Sequence, residues 1–301
     1  MKYIFLFGAG ASLYNHILPE IPPLANQLFE RLVTKYPNVW GAIPEEFAGE
    51  FRVNFEQGIL RVMESNSHLI SPLMQTMALY FASFIPDNSN SDLYSVLIKR
   101  IQSEGVLNQI LFSTLNYECL FEIACSRQGL QVHYNDIPPP SGTVVVWKLH
   151  GSCNFKPNPE EISMRRGGSY AWGMTINVRL IPVSPSEIIQ WLQGDTALYP
   201  AMCMFTLNKP SQMSPSIFAE RQHKWGALVN AADKVIVIGV RPNIQDEHIW
   251  QPLAVTGAKL HFVGNESQLN AWLPGRIGGE TNFMGSSFEA TIDKITEELA
   301  N

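Results

Sequence analysis

Tyr3-Ile4-Phe5-Leu6-Phe7-Gly8-Ala9-Gly10-Ala11-Ser12 opens the chain, and its reading decides the fold. Five apolar, β-favouring residues run directly into a glycine-rich turn. A helical pattern follows at 24–36, where Leu24, Leu28, Leu32 and Tyr36 recur about four apart. A buried strand ending in such a turn is how a parallel α/β sheet aims backbone N–H groups at a phosphate. Glycine allows both the close approach and the φ > 0 conformations this needs. A complete G-x-G-x-x-G requires glycine at 13, where Leu13 stands, so the turn alone fits a nucleotide loop and a plain strand–turn equally.

The same grammar recurs downstream. Ile110-Leu111-Phe112 precedes Ser113-Thr114-Leu115-Asn116, Val144 to Leu149 precedes His150-Gly151-Ser152, Val235 to Ile238 precedes Gly239, and Leu260 to Val263 precedes Gly264-Asn265. Continuous apolar runs of this kind suit strands buried on both faces of a parallel sheet. The expected fold is therefore α/β, a Rossmann-like parallel sheet with helices on both faces. Residues 40–108 show no strand pattern and read as a helical insertion. Within it Leu73, Met77, Tyr80, Phe81 and Phe84 share one face, read as core, and the turn at 86–89 ends that helix. Ser169 to Val183 alternates enough for a hairpin, 217–229 reads as a helix, and Phe288, Ile292, Ile295 and Leu299 form the face of a last one. In an open parallel sheet ligands bind beyond the carboxyl ends of the strands, so the glycine turn, 114–118, 150–152, 239–246 and Asn265 are expected to share one rim.

Composition narrows the functional classes. A net charge of −6 gives no basic excess to release counterions from nucleic acid, so no direct nucleic-acid partner is expected. The apolar run before Gly8 is shorter than the roughly seven to fifteen residues of a secretory signal. No other run approaches the about twenty apolar residues of a membrane span. Four scattered cysteines form no C-x-x-C, which fits free thiols in the cytoplasm and gives no zinc motif. The histidines show no ligand spacing, so no metal is expected.

The polar residues at the strand ends each have two readings. Asn116 suits a turn or helix cap, or an amide that orients a sugar hydroxyl or a water. His150 suits a core histidine bonded to a carbonyl, or a general base. Asp246, with His248 nearby, suits a cap at the positive end of a helix.

Gly8-Ala9-Gly10-Ala11-Ser12, Thr114-Leu115-Asn116-Tyr117-Glu118, Lys148-Leu149-His150-Gly151-Ser152 and Val235-Ile236-Val237-Ile238-Gly239, in this order, resemble the sirtuin-related (SIR2-like) family over residues 3 to about 265. Three departures mark the resemblance. The paired C-x-x-C motifs of zinc-containing deacylases are absent. The Gly-Ile-Pro-Asp-Phe-Arg stretch has no counterpart between Leu13 and Pro23. The Asp that usually follows Asn-Tyr is Glu118. The pattern looks instead like the zinc-less members of bacterial anti-phage (antiviral) defence, which hydrolyse NAD+.

The resemblance implies a single SIR2-like domain over 1–301 and an NAD+ glycohydrolase (NADase) that cleaves its substrate to nicotinamide and ADP-ribose. It implies Asn116 and His150 as catalytic residues. Gly8, Ala9, Gly10 and Ser12 would cradle the pyrophosphate, and Thr114, Gly239 and Asn265 would line the ribose and adenosine side. Arg241 and Asp246 would contact phosphate or ribose. A toxic hydrolase also implies control from outside, through a homo-oligomer or a separate sensor protein. A catalytically silent NAD+ or ADP-ribose sensor is the alternative, with a deacylase or ADP-ribosyltransferase behind it.

Overall fold

The computed structural model describes residues 1–13, 20–86, 92–134, 140, 142–164, 176–194, 198–203, 213–243 and 246–300. Seven strands form the main sheet: β1 (Tyr3–Phe7), β2 (Ile110–Thr114), β3 (Gln131–His133), β4 (Thr143–Lys148), then β7 (Lys234–Ile238), β8 (Lys259–Val263) and β9 (Thr281–Gly285). A separate ribbon pairs β5 (Phe155–Pro157) with β6 (Leu180–Pro182). The sheet order is β3-β4-β2-β1-β7-β8-β9. Every pairing within it is parallel, so all seven carboxyl ends share one rim. The chain winds outward from β1 to β2, then returns to β7 on the other side of β1. This places the topological switch, where such sheets bind ligands, at the glycine turn.

The uninterrupted apolar runs follow from burial on both faces. Tyr3, Phe5 and Phe7 point into one core with Phe112, Val146 and Ile238, while Ile4 and Leu6 point into another with Leu111, Val145 and Val237. Side chains alternate along a strand, so a strand covered on both sides has no polar face. The first core is roofed by helices Ala25–Lys35, Glu45–Val53, Phe55–Ser65, Ile70–Ala82, Leu93–Glu104, Leu120–Arg127 and Phe288–Ala300. The second lies under Pro215–Ala231, Glu247–Val255 and Glu266–Trp272. Leu73, Met77, Tyr80 and Phe81 are buried in the first core on one helix, as their spacing indicates, but that helix ends at Ala82, before the expected turn at 86–89, and Phe84 is buried from the segment beyond it. Among the described residues no helix is long and apolar enough to cross a membrane.

The structure adds to the sequence reading in two places. β3 and β9 are edge strands that the apolar pattern misses, because each is short or half-buried and carries polar residues. The hairpin expected within 169–183 falls partly outside the described residues. In the remainder, Leu180–Pro182 takes the upstream segment Phe155–Pro157 as its antiparallel partner. Residues 87–89 of the predicted turn and 14–19 of the stretch before Pro23 also lie outside the described residues.

Candidate active site

The glycine turn is shaped first by its neighbour strand. Gly8 N–H donates to Ile238 O at 3.0 Å, Gly10 N–H to Gly239 O at 2.9 Å, and Ala11 N–H to Gly8 O at 2.9 Å. Gly239 has φ +66°, and a β-carbon there would stand 2.1 Å from Ala11 N and 2.3 Å from Gly10 C. The turn after β1 and the turn after β7 therefore pack backbone on backbone, which only glycine permits. Gly8 and Gly10 owe their identity to this contact; two of the turn's N–H groups are engaged across it and a third, Ala11 N–H, within the turn itself.

Beside the turn, Asn116 is fixed by its amide nitrogen. Nδ2 lies 3.1 Å from Gly8 O, 3.3 Å from Ser12 Oγ and 3.0 Å from Glu118 Oε1. Its backbone N–H donates to Thr114 Oγ1 at 3.0 Å. The amide hydrogens thus point into the protein, leaving Oδ1 as the group able to accept from a ligand or a water. Asn116 caps no helix. Glu118 does that work for Leu120–Arg127, its Oε2 accepting from Leu120 N at 2.6 Å. Its Oε1 also accepts from Ser12 Oγ at 2.8 Å. With the Ser12 hydrogen so used, Tyr94 donates its hydroxyl to Ser12 Oγ at 3.1 Å. Burial pushes the Glu118 carboxyl above its ordinary range, while the Lys148 charge and the Leu120 N–H pull it back. Lys148 is fully buried, with Nζ 3.0 Å from Glu122 Oε1 and a hydrogen bond to Glu118 O. Burial alone would lower its pKa, but Glu122, the buried Cys119 and Glu118 outweigh that and hold it raised.

His150 follows β4, and its backbone oxygen accepts from Cys203 N at 2.9 Å. The His150 Nε2 stands 3.2 Å from Nε2 of His248, in the first turn of helix Glu247–Val255. In that pair one nitrogen donates and the other accepts. Burial, then the neighbouring His248, drives the His150 pKa well below the usual histidine range. Burial takes His248 down to about 4. Both rings are therefore neutral at neutral pH. Asp246 sits at the N-cap position of the same helix but makes no side-chain cap bond. Its Oδ2 accepts from Asn243 Nδ2 at 3.4 Å, its Oδ1 is buried without a partner among the described residues, and burial raises its carboxyl to about 6. One ligand atom from each of His150, Asp246 and His248 lies within 4.8 Å of the others.

The structure thus brings the glycine turn, Ser12, Thr114, Asn116 and Gly239 into one contact network, with His150 and Asp246 forming a second cluster on the same rim. Arg241 is exposed, two residues beyond Gly239. Asn265 is exposed and caps Glu266–Trp272, its Oδ1 accepting from Gln268 N at 3.0 Å and from Ser267 Oγ at 2.6 Å. Sequence reading missed Glu118 as the holder of Asn116 and His248 as the neighbour of His150. The first had a signal, a carboxylate two residues beyond the amide. The second had none, because 98 residues separate the histidines.

No protein-family model matches the chain, and no curated protein matches it. Solved structures that align with it include Sir2Tm bound to a propionylated peptide, with 16% identity, 98% of this chain and 92% of that chain covered, and a TM-score of 0.45. A Sir2–p53 peptide–NAD+ complex aligns with 15% identity over 98% and 92%, at 0.44. A Sir2 homologue–NAD complex aligns with 16% identity over 99% and 88%, at 0.42. At these scores the likeness adds nothing to the geometry described above.

Proposed function

We propose that this chain is an NAD+ glycohydrolase. The observation that supports the reading most is the placement of Asn116 and His150. Thr114 and Lys148 pair across β2 and β4, so the two residues stand equally far past a matched register at adjacent strand ends. Asn116 is locked against the glycine turn, with its Oδ1 left over. Nicotinamide leaves NAD+ as a neutral molecule, because the electron pair of the broken C1′–N bond neutralises its cationic ring. No general acid is then needed. The reaction needs a stabilised oxocarbenium-like ribose and a placed water. Asn116 Oδ1 accepts from a ribose hydroxyl or from that water. Neutral His150 takes the proton the water loses as its oxygen bonds to C1′, and passes it to solvent. The products are nicotinamide, ADP-ribose and one proton.

In this reading Gly8, Ala9 and Gly10, with Ser12 beneath them, form the turn against which the pyrophosphate lies. Its glycines supply close approach rather than a full set of free N–H donors. Thr114 and Gly239 flank the ribose, buried Asp246 stands beside His150, and Arg241 and Asn265 lie on the outer rim. Residues 1–301 act as one domain, with 40–108 as its helical insertion. The anti-phage role, and control by self-assembly or a separate sensor, belong to the same proposal through the motif resemblance. Mixing the protein with NAD+ and separating the products by chromatography tests it. Equal amounts of nicotinamide and ADP-ribose are expected without any acyl-lysine peptide. NAD+ bound but intact identifies a sensor module, and nicotinamide release that requires an acyl-lysine peptide identifies a deacylase.

A further inference from the structure

We propose that His150, Asp246 and His248 form a binding site for a divalent transition-metal ion of the zinc class, and that its occupancy silences the cleavage reaction. The second half rests on the glycohydrolase reading, and the first half does not.

The donor geometry supports the site. Zinc–imidazole bonds of about 2.0–2.1 Å at a tetrahedral angle place two nitrogen ligands roughly 3.3 Å apart. The His150 and His248 Nε2 atoms stand 3.2 Å apart. The third donor lies within 4.8 Å of both, so only a small side-chain adjustment closes the set. Asp246 is buried, and its Oδ1 has no hydrogen-bond partner among the described residues. A buried carboxylate oxygen left without a donor is costly, and a cation satisfies it directly. Asn243 Nδ2 reaches the other oxygen at 3.4 Å and orients the carboxylate, as outer-shell partners of metal ligands do. The ligands also have separate supports: His150 sits past β4, while Asp246 and His248 sit at the start of one helix.

The donor set selects the metal. Two imidazoles and one carboxylate suit zinc, cobalt, nickel or iron, whereas calcium and magnesium prefer oxygen-only shells. His248 is only partly buried, which leaves a side open for entry. A metal on His150 Nε2 occupies the lone pair that would accept the proton from water. Binding and catalysis then compete for one atom.

The test uses full-length, tag-free protein stripped with a chelator. Zn2+ is titrated by calorimetry, and Co2+ is titrated by its visible absorption. One ion per chain is expected, with His248→Ala and Asp246→Asn each weakening binding by about tenfold or more. Folding of each variant is checked by circular dichroism. Absence of binding, or binding that both folded variants retain at full strength, overturns the site. NAD+ turnover is followed in parallel. Cleavage that falls in proportion to bound Zn2+ supports silencing. Cleavage unchanged or increased at full occupancy overturns it. Protein that never cleaves NAD+ overturns the glycohydrolase reading and the silencing with it, while calorimetry still decides the metal site.

Discussion

Glu118 Oε1 accepts from Asn116 Nδ2 at 3.0 Å, two residues along the same loop, and the contact fixes which end of the Asn116 amide faces outward. The carboxylate also bonds Ser12 and the N-terminus of helix Leu120–Arg127, so one buried group joins the glycine turn, the candidate catalytic amide and a helix start. Glu118→Gln keeps the side-chain volume but puts an amide where two donors meet an acceptor. Misplacement of a reacting group by about 1 Å costs about 10²-fold in rate. A fall in kcat of that order is expected, with little change in KM, read from steady-state nicotinamide release.

Gly239→Ala tests the contact between the two turns. The new β-carbon meets Ala11 N at 2.1 Å, and φ is +66°. The left-handed conformation alone costs an alanine roughly 1–2 kcal/mol, before any clash. Urea denaturation should show a loss larger than that, and NAD+ affinity should fall with it.

Lys148→Met tests the buried ion pair. The substitution leaves Glu122 buried beside an apolar chain, where Lys148 Nζ stood 3.0 Å away. Breaking one side of such a pair costs about 3–5 kcal/mol. Retained stability in thermal or urea unfolding would show that Glu122 is partnered elsewhere.

Glu56 gives a pH dependence. Burial, and then the charge of Asp246, raise its carboxyl from 4.5 to about 8. The folded state therefore keeps a proton that the unfolded state has lost between pH 4.5 and about 8. Its contribution to stability falls as pH rises through that window and levels off above it. Glu56→Gln removes the slope, so the variant should gain stability over wild type steadily from pH 5 to 8. Parallel curves for the two proteins would contradict the assignment.

Much of this architecture was legible in the sequence, for a physical reason. Strands buried on both faces cannot hide their apolar runs, so β1, β2, β4, β7 and β8 announce themselves, as do helices Ala25–Lys35, Ile70–Ala82 and Phe288–Ala300 of the first core, whereas Leu120–Arg127 does not. The edge strands β3 and β9 do not, because one side of each meets solvent. Within the site, the Asn116 loop reads locally, since its partners lie in the turn and in its own strand end. The pairing of His150 with His248 does not: it depends on β4 and the helix after β7 meeting above the sheet, which no spacing along the chain encodes. Asp246 reads as a helix cap from its position, yet tertiary packing turns its carboxylate away from that use.

The central claim is that Asn116 and His150 together cleave NAD+. Its most direct test is nicotinamide release by metal-free wild type, Asn116→Ala and His150→Ala, measured across protein concentration so that assembly is included. General acid–base groups contribute about 10²–10⁴-fold, and losses in that range are expected for His150→Ala, with turnover also lost in Asn116→Ala while both variants remain folded. Folded variants that release nicotinamide at the wild-type rate would contradict the account, as would a wild type that binds NAD+ at every concentration and never releases nicotinamide.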